Sequence, residues 1–271
     1  MTGSASAAAV WPRPPELPGP VLSDQRWLDA VFLHWRIPES EAAAFMPDGI
    51  QPDLFDDSSW VGLIGFRMEQ AALGRGPGVP YLGSFNEVNV RLYSREPDGT
   101  RGVVFLSLDA NRLPVVLATR AAGIPYVWSR IRQQPPFPVS GGPTQRASGG
   151  TGTGAAGSTD EFPVGYAVRR RGSAAARSDF TVVPKLRETA ADPLSVFLTA
   201  RFGMHGRFLG KTAYVPNTHQ AWPLFHAEVQ QLSDGLIDAA GITVDGPPDS
   251  VLYSPGVRTR FGRPRIAGAP G

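Results

Sequence analysis

Apolar and polar positions alternate with a period of two along several stretches of the chain, the spacing of half-buried strands. Trp27–Ile37, Trp60–Met68, Phe85–Arg95 and Gly102–Asp109 read as strands. The last two are predicted to pair through the turn Glu96-Pro97-Asp98-Gly99. Further strands are predicted near 211–216, 222–231 and 250–260. Helical signals are short and scattered. Pro38 to Phe45 carries proline at its first turn, and Pro47 stops it. Pro114 to Ala122 has Arg120 in its last turn and Gly123 as the residue that leaves the helix. A third helix starts at an Asp192 cap before Pro193 and runs to Arg201 or Phe202, and a short one is expected near 234–240. Strands outnumber helices, so the pattern predicts an α+β fold built on antiparallel sheet.

Three stretches break the pattern. Residues 1–20 are rich in Pro, Ala and Gly and read as a flexible arm; residues 134–160 are low-complexity Gly/Ser/Thr and read as a disordered insertion. The tail from Gly262 reads as frayed. The segments on either side of the insertion are each too short for a core of their own, so residues 21–268 are expected to form a single domain interrupted at 134–160.

The richest strand is Phe85–Tyr93. Val88, Val90 and Leu92 share one face; Glu87, Asn89, Arg91 and Tyr93 share the other. An acid and a base four residues apart on one strand face cannot form a tight pair, so each is free to reach for a ligand. The following strand is apolar on both faces, which suits burial. A polar stripe beside a buried strand is what a lined pocket requires, although a solvated strand face gives the same pattern.

Composition narrows the chemistry. The 271 residues contain 42% hydrophobic and 18% charged residues, enough for a sizeable core. Net charge is +2, and 26 basic groups nearly balance 24 acidic ones, which argues against a nucleic-acid partner. Cysteine is absent, so disulfides, thiolate catalysis and cysteine-based zinc sites are excluded. Lys185 and Lys211 are the only lysines; the remaining basic side chains are arginines, which clamp anions but form no imine. The N-terminus lacks a basic, strongly apolar leader and no stretch reaches membrane-spanning length, so a soluble cytoplasmic protein with no membrane partner is predicted.

Weaker signals have ordinary explanations. Gly152-Thr-Gly154-Ala-Ala-Gly157 has the dinucleotide-binding spacing but opens no helix after a strand. His219, His226 and Glu228 form no convincing metal-ligand spacing, so no metal and no cofactor is expected. His205, just past a helix end, reads as structural, and Arg169-Arg170-Arg171 as a solvated loop or strand end.

Six motifs occur in order: His34-Trp35-Arg36; Met46-Pro47-Asp48-Gly49; Phe85-x-Glu87-x-Asn89-Val90-Arg91-x-Tyr93; Pro125-Tyr126; His219-x-x-Trp222-Pro223-Leu224; and Tyr253-Ser254-Pro255-Gly256-Val257. Together they make the chain from Trp27 to Phe261 resemble the uncharacterised YqjF-like bacterial family. Residues 85–130 also resemble the core of the acetoacetate decarboxylase superfamily. That resemblance implies a cone-like antiparallel β-barrel around a small-molecule pocket, and homo-oligomeric assembly. Glu87 fits the superfamily's pocket glutamate. The imine-forming lysine is replaced by Tyr126, and a second lysine by Val127. A phenol forms no imine, so imine-based decarboxylation is not expected. Tyr126 is instead expected to donate a hydrogen bond or a proton, Glu87 to serve as a base, and Arg91 to hold a carboxylate. Asn89, Tyr93, Arg120 and Trp222 complete the expected ligand-binding set. The bland alternative makes Tyr126 a packing aromatic and Arg91 an internal partner of Glu87 or a neighbouring acid. Two functions stay open: a lyase-like enzyme on a keto or carboxylic acid that works without an imine, and a non-catalytic binding or sensing domain.

Overall fold

The computed structural model describes residues 11–74, 76, 83–121, 123–134, 162–208 and 210–267. The predicted insertion and the dinucleotide-like glycines fall almost wholly outside them. Of the predicted N-terminal arm, the described part starts at Trp11, whose ring packs edge-on to His219.

The elements in chain order begin with β1 (Ser23–Ile37), α1 (Glu39–Ala43), β2 (Gln51–Pro52), β3 (Ser59–Leu73), β4 (Phe85–Arg95) and β5 (Arg101–Ala110). Helix α2 (Leu113–Ala121) leads to β6 (Tyr126–Gln134), β7 (Val164–Arg170) and β8 (Arg177–Thr189). Then come α3 (Pro193–Thr199), β9 (Gly203–Phe208), β10 (Lys211–His219), β11 (Phe225–Asp234), α4 (Leu236–Ala239), β12 (Ser250–Phe261) and β13 (Arg265–Ile266). The α+β reading holds: the chain is mostly sheet with short helices, although β6 to β9 were missed as strands by the alternation pattern. The strands join in one sheet that closes on itself as a ring, β5–β6–β7–β8–β11–β12–β1–β3–β4–β5. Strands β9 and β10 bridge β5 to β12 and add a second loop of pairing.

Two corrections concern connectivity. The sheet is not wholly antiparallel, because β5 runs parallel to both β6 and β9. Helix α2 is the crossover from β5 to β6, and Ile124-Pro125 leads into β6. The predicted frayed tail is also partly tied down: β13 pairs with β10, and Arg265 ion-pairs with the buried carboxylate of Glu96.

Local signals explain the helix ends. Gly123 takes a positive φ of 77°, and the amide of Ile124 donates to the carbonyl of Thr119 across the end of α2. Asp192 caps α3, accepting from the Ser195 amide at 2.9 Å. Hydrophobic packing divides the interior. Val88, Val90 and Leu92 of β4 join the larger core with Leu33, Leu63 and Phe180. Gly65 sits where a Cβ would lie 2.6 Å from the Tyr166 ring, so only glycine lets β3 pass. The opposite face of β4 looks onto a second cluster around Phe32, Ile64, Leu108 and Trp222, and there the site lies.

Candidate functional site

A cavity of about 270 Å³ opens on that second face. Glu87, Asn89 and Arg91 line it from β4, at the alternation the sequence predicts. Tyr126 faces them from the start of β6 and Trp222 closes another side, packed against Trp27 and Phe32. Tyr93 and Arg120 do not line it. Tyr93 keeps the face of Arg91 but lies beyond the end of the cavity. Tyr93 is fully buried behind the site, beside Trp60 and Phe197. Arg120 is exposed and works from outside: its Nε donates to the Tyr126 carbonyl at 2.6 Å, fixing the backbone as the chain enters β6.

Glu87 and Tyr126 are joined directly. The Tyr126 hydroxyl donates to Glu87 Oε2 at 2.7 Å, and Asn89 Nδ2 donates to Oε1 at 3.3 Å. Burial raises the Glu87 carboxyl to about 7, and Asp109 adds a small push in the same direction, against the pull of the two hydrogen bonds. Burial and the adjacent Glu87 carry the Tyr126 phenol well above its ordinary value. Tyr126 therefore stays a neutral donor, while Glu87 changes charge near neutrality.

Arg91 is 9% exposed, and among the described residues no carboxylate pairs with it. Its Nε and Nη2 donate to the Tyr93 hydroxyl, and Nη2 also donates to the Leu198 carbonyl at 3.2 Å. The expected alternative of an internal ion pair with Glu87 is not made. Arginine only donates, so the Tyr93 oxygen accepts from Arg91, and the same hydroxyl is hydrogen-bonded to His34 Nε2 at 2.6 Å. Burial first, then Arg91 and Arg201, hold His34 well below its ordinary range.

Among the lining residues that sequence reasoning missed are Arg201, Asn217 and His219. Arg201 lies just past α3 and is buried; it ion-pairs with Asp53 and donates to the Phe197 carbonyl at 2.7 Å. Burial lowers its guanidinium to about 10, still protonated at neutral pH. Asn217 lines the same wall from β10. His219 was weighed only as a metal ligand; its ring nitrogens face the carbonyls of Gln220 and Arg201. His226 lies near Asp192 and Glu228 pairs with Lys185, and among the described residues no His/Asp/Glu group suits a metal ion. An arginine in the last turn of a short helix reads as solvent-facing, so nothing local marked Arg201.

Other expectations fall outside the cavity. His205 belongs to β9, not to a helix end, and sits between Ser94 and Glu96, with burial lowering its ring below the ordinary value. Arg170 is not solvated: it bonds Ser107 and both oxygens of the fully buried Asp109, which also accepts from Ser129.

A ring of strands encloses a cavity with an acid and a phenol at its wall, and the fold is acetoacetate-decarboxylase-like. The chain belongs to the DUF2071 family, described as an uncharacterized conserved protein, whose model matches residues 24–258. The uncharacterized protein YqjF of Bacillus subtilis (strain 168) is 25% identical over 223 residues, covering 81% of this chain and 82% of YqjF. Among solved structures, an acetoacetate decarboxylase-like enzyme from Sphingomonas wittichii RW1 has a TM-score of 0.59 at 13% identity, covering 90% of this chain and 92% of its own. The enduracididine biosynthesis enzyme MppR complexed with pyruvate has a TM-score of 0.57 at 14% identity, covering 92% and 91%. At these identities the structural likeness establishes the fold. Among the described residues no helix is long and apolar enough to cross a membrane.

Proposed function

We propose that the cavity binds a small keto or carboxylic acid and that Glu87 and Tyr126 exchange a proton with it, a lyase-like reaction that needs no imine. The observation that carries this reading is Arg91. A buried guanidinium without a counter-ion is costly, and a ligand carboxylate supplies the missing partner with charge-assisted hydrogen bonds. Below a pH of about 7 Glu87 is neutral and does not repel that anion. For a β-keto acid, breaking the bond to the carboxyl releases carbon dioxide, and its electron pair becomes the carbon–carbon double bond of an enolate whose negative charge rests on the keto oxygen. The Tyr126 hydroxyl is the donor suited to that oxygen, with Glu87 behind it as the proton reserve. MppR, which shares the fold, is complexed with pyruvate, a ligand of the same chemical class. Neither Lys185 nor Lys211 lines the cavity.

Calorimetric titration with pyruvate and other short keto and hydroxy acids tests the binding step. Arg91→Met is expected to weaken binding at least about tenfold, the worth of one or two charged hydrogen bonds. Tyr126→Phe is expected to keep binding and to lower turnover of a converted acid by about 10²–10³. Unchanged affinity in Arg91→Met would refute the assignment.

A further inference from the structure

The cavity has an apolar neighbour. A groove of about 470 Å³ runs between the end of α1, the Gly123–Pro125 turn and strands β9 and β10. Phe105, Ile124, Met204, Val215 and Pro264 line both spaces, so one layer of side chains is at once the wall of the cavity and the floor of the groove. Beyond that layer the groove is bounded by Phe45, Met46, Pro47 and Phe208. Phe208 is 43% exposed, a large apolar side chain left in water.

The groove offers little to a polar occupant. His205 reaches it, but both ring nitrogens are engaged by Ser94 and Glu96. Arg207 stands at the rim, with its guanidinium on Asp48 at 3.0 Å. Free cationic hydrogen bonding is thus found on the cavity side, at Arg91, and apolar surface on the groove side. At about 270 Å³ the cavity alone falls just under the range of small-molecule pockets, about 300–1,000 Å³. Met204, unbranched and only half-buried in the shared layer, is the side chain best able to step aside for a chain passing between the two spaces.

We infer that the ligand is a carboxylic acid bearing an apolar chain: its head is held at Arg91, and its chain crosses the shared layer into the groove. This rests on the carboxylate reading of the cavity and adds the ligand class to it.

The test is calorimetric titration with straight-chain monocarboxylates from butyrate to decanoate, below their micelle-forming concentrations and at a pH under 7. Once the chain outgrows the cavity, each buried methylene is expected to tighten binding about three- to fourfold, the equivalent of about 0.8 kcal/mol. Gly206→Phe blocks the groove: a Cβ there meets nothing within 4 Å, and no positive φ forbids it. This variant is expected to bind butyrate as before and to lose the chain-length gain. Phe208→Ser, on an exposed side chain, should reduce that gain without disturbing packing. Affinity that does not rise with chain length, or a rise that survives Gly206→Phe, would overturn the inference while leaving the carboxylate site standing. If no acid of any length binds, the carboxylate reading falls and this one with it.

Discussion

Glu87→Gln isolates the carboxyl that titrates in the wall of the cavity. In the folded protein Glu87 is raised from 4.5 to about 7. A carboxyl raised on folding keeps its proton longer in the native than in the unfolded state. Between those two values the unfolded chain has already lost the proton, so stability falls as pH rises and levels off above about 7. At 1.36 kcal/mol per pH unit, the roughly 2.5-unit gap corresponds to about 3 kcal/mol lost between pH 4.5 and 8. Glutamine keeps the oxygen that accepts from Tyr126 and has nothing to ionise. It also brings an amide donor to within reach of Asn89, whose Oδ1 is buried without a partner among the described residues. Glu87→Gln should therefore match the wild type near pH 4 and exceed it by about 3 kcal/mol at pH 8. Urea unfolding followed by fluorescence at half-unit steps of pH reads the difference directly. A difference that stays constant from pH 5 to 8 would refute the argument that burial, rather than a compensating partner, governs Glu87.

Two further expectations follow from buried charge and from lysine chemistry. Asp109→Asn leaves Arg170 largely buried beside a neutral amide and is expected to cost about 3–5 kcal/mol, measured as a drop in the urea midpoint without a change in slope. Incubation with a keto acid and borohydride should leave Lys185 and Lys211 unmodified by mass spectrometry; a trapped adduct on either would mean that an imine site exists away from Tyr126.

Much of the fold's grammar was legible because it is local. Period-two alternation places Val88, Val90 and Leu92 in the core and Glu87, Asn89 and Arg91 on the cavity side, because successive Cβ atoms on a strand point to opposite faces. The same rule put Tyr93 with them, and its hydroxyl does accept from Arg91, but it lies farther along β4, packed against Trp60 and Phe197 beyond the cavity, a position that only the tertiary packing sets. Gly123 and Asp192 marked helix ends through backbone and capping preferences that need no tertiary partner. The longer missed strands, β6 to β9, lie in the stretches from Tyr126 to Gln134 and from Val164 to Phe208, where arginines and prolines interrupt the alternation and pairing across the sheet overrides it.

By itself, the sequence determined which chemistries were available. With no cysteine and two lysines, thiolate chemistry is excluded and any imine is confined to Lys185, Lys211 or the N-terminus, whatever the fold. The tertiary structure alone decided their state. Arg201, Asn217 and His219 reach the cavity from segments more than a hundred residues beyond β4. Whether Glu87 is charged, and whether Arg91 has a counter-ion, depends on the atoms that exclude water around them. Electrostatic energy in a protein is set by burial and by neighbours in space, and neither is written along the chain in order.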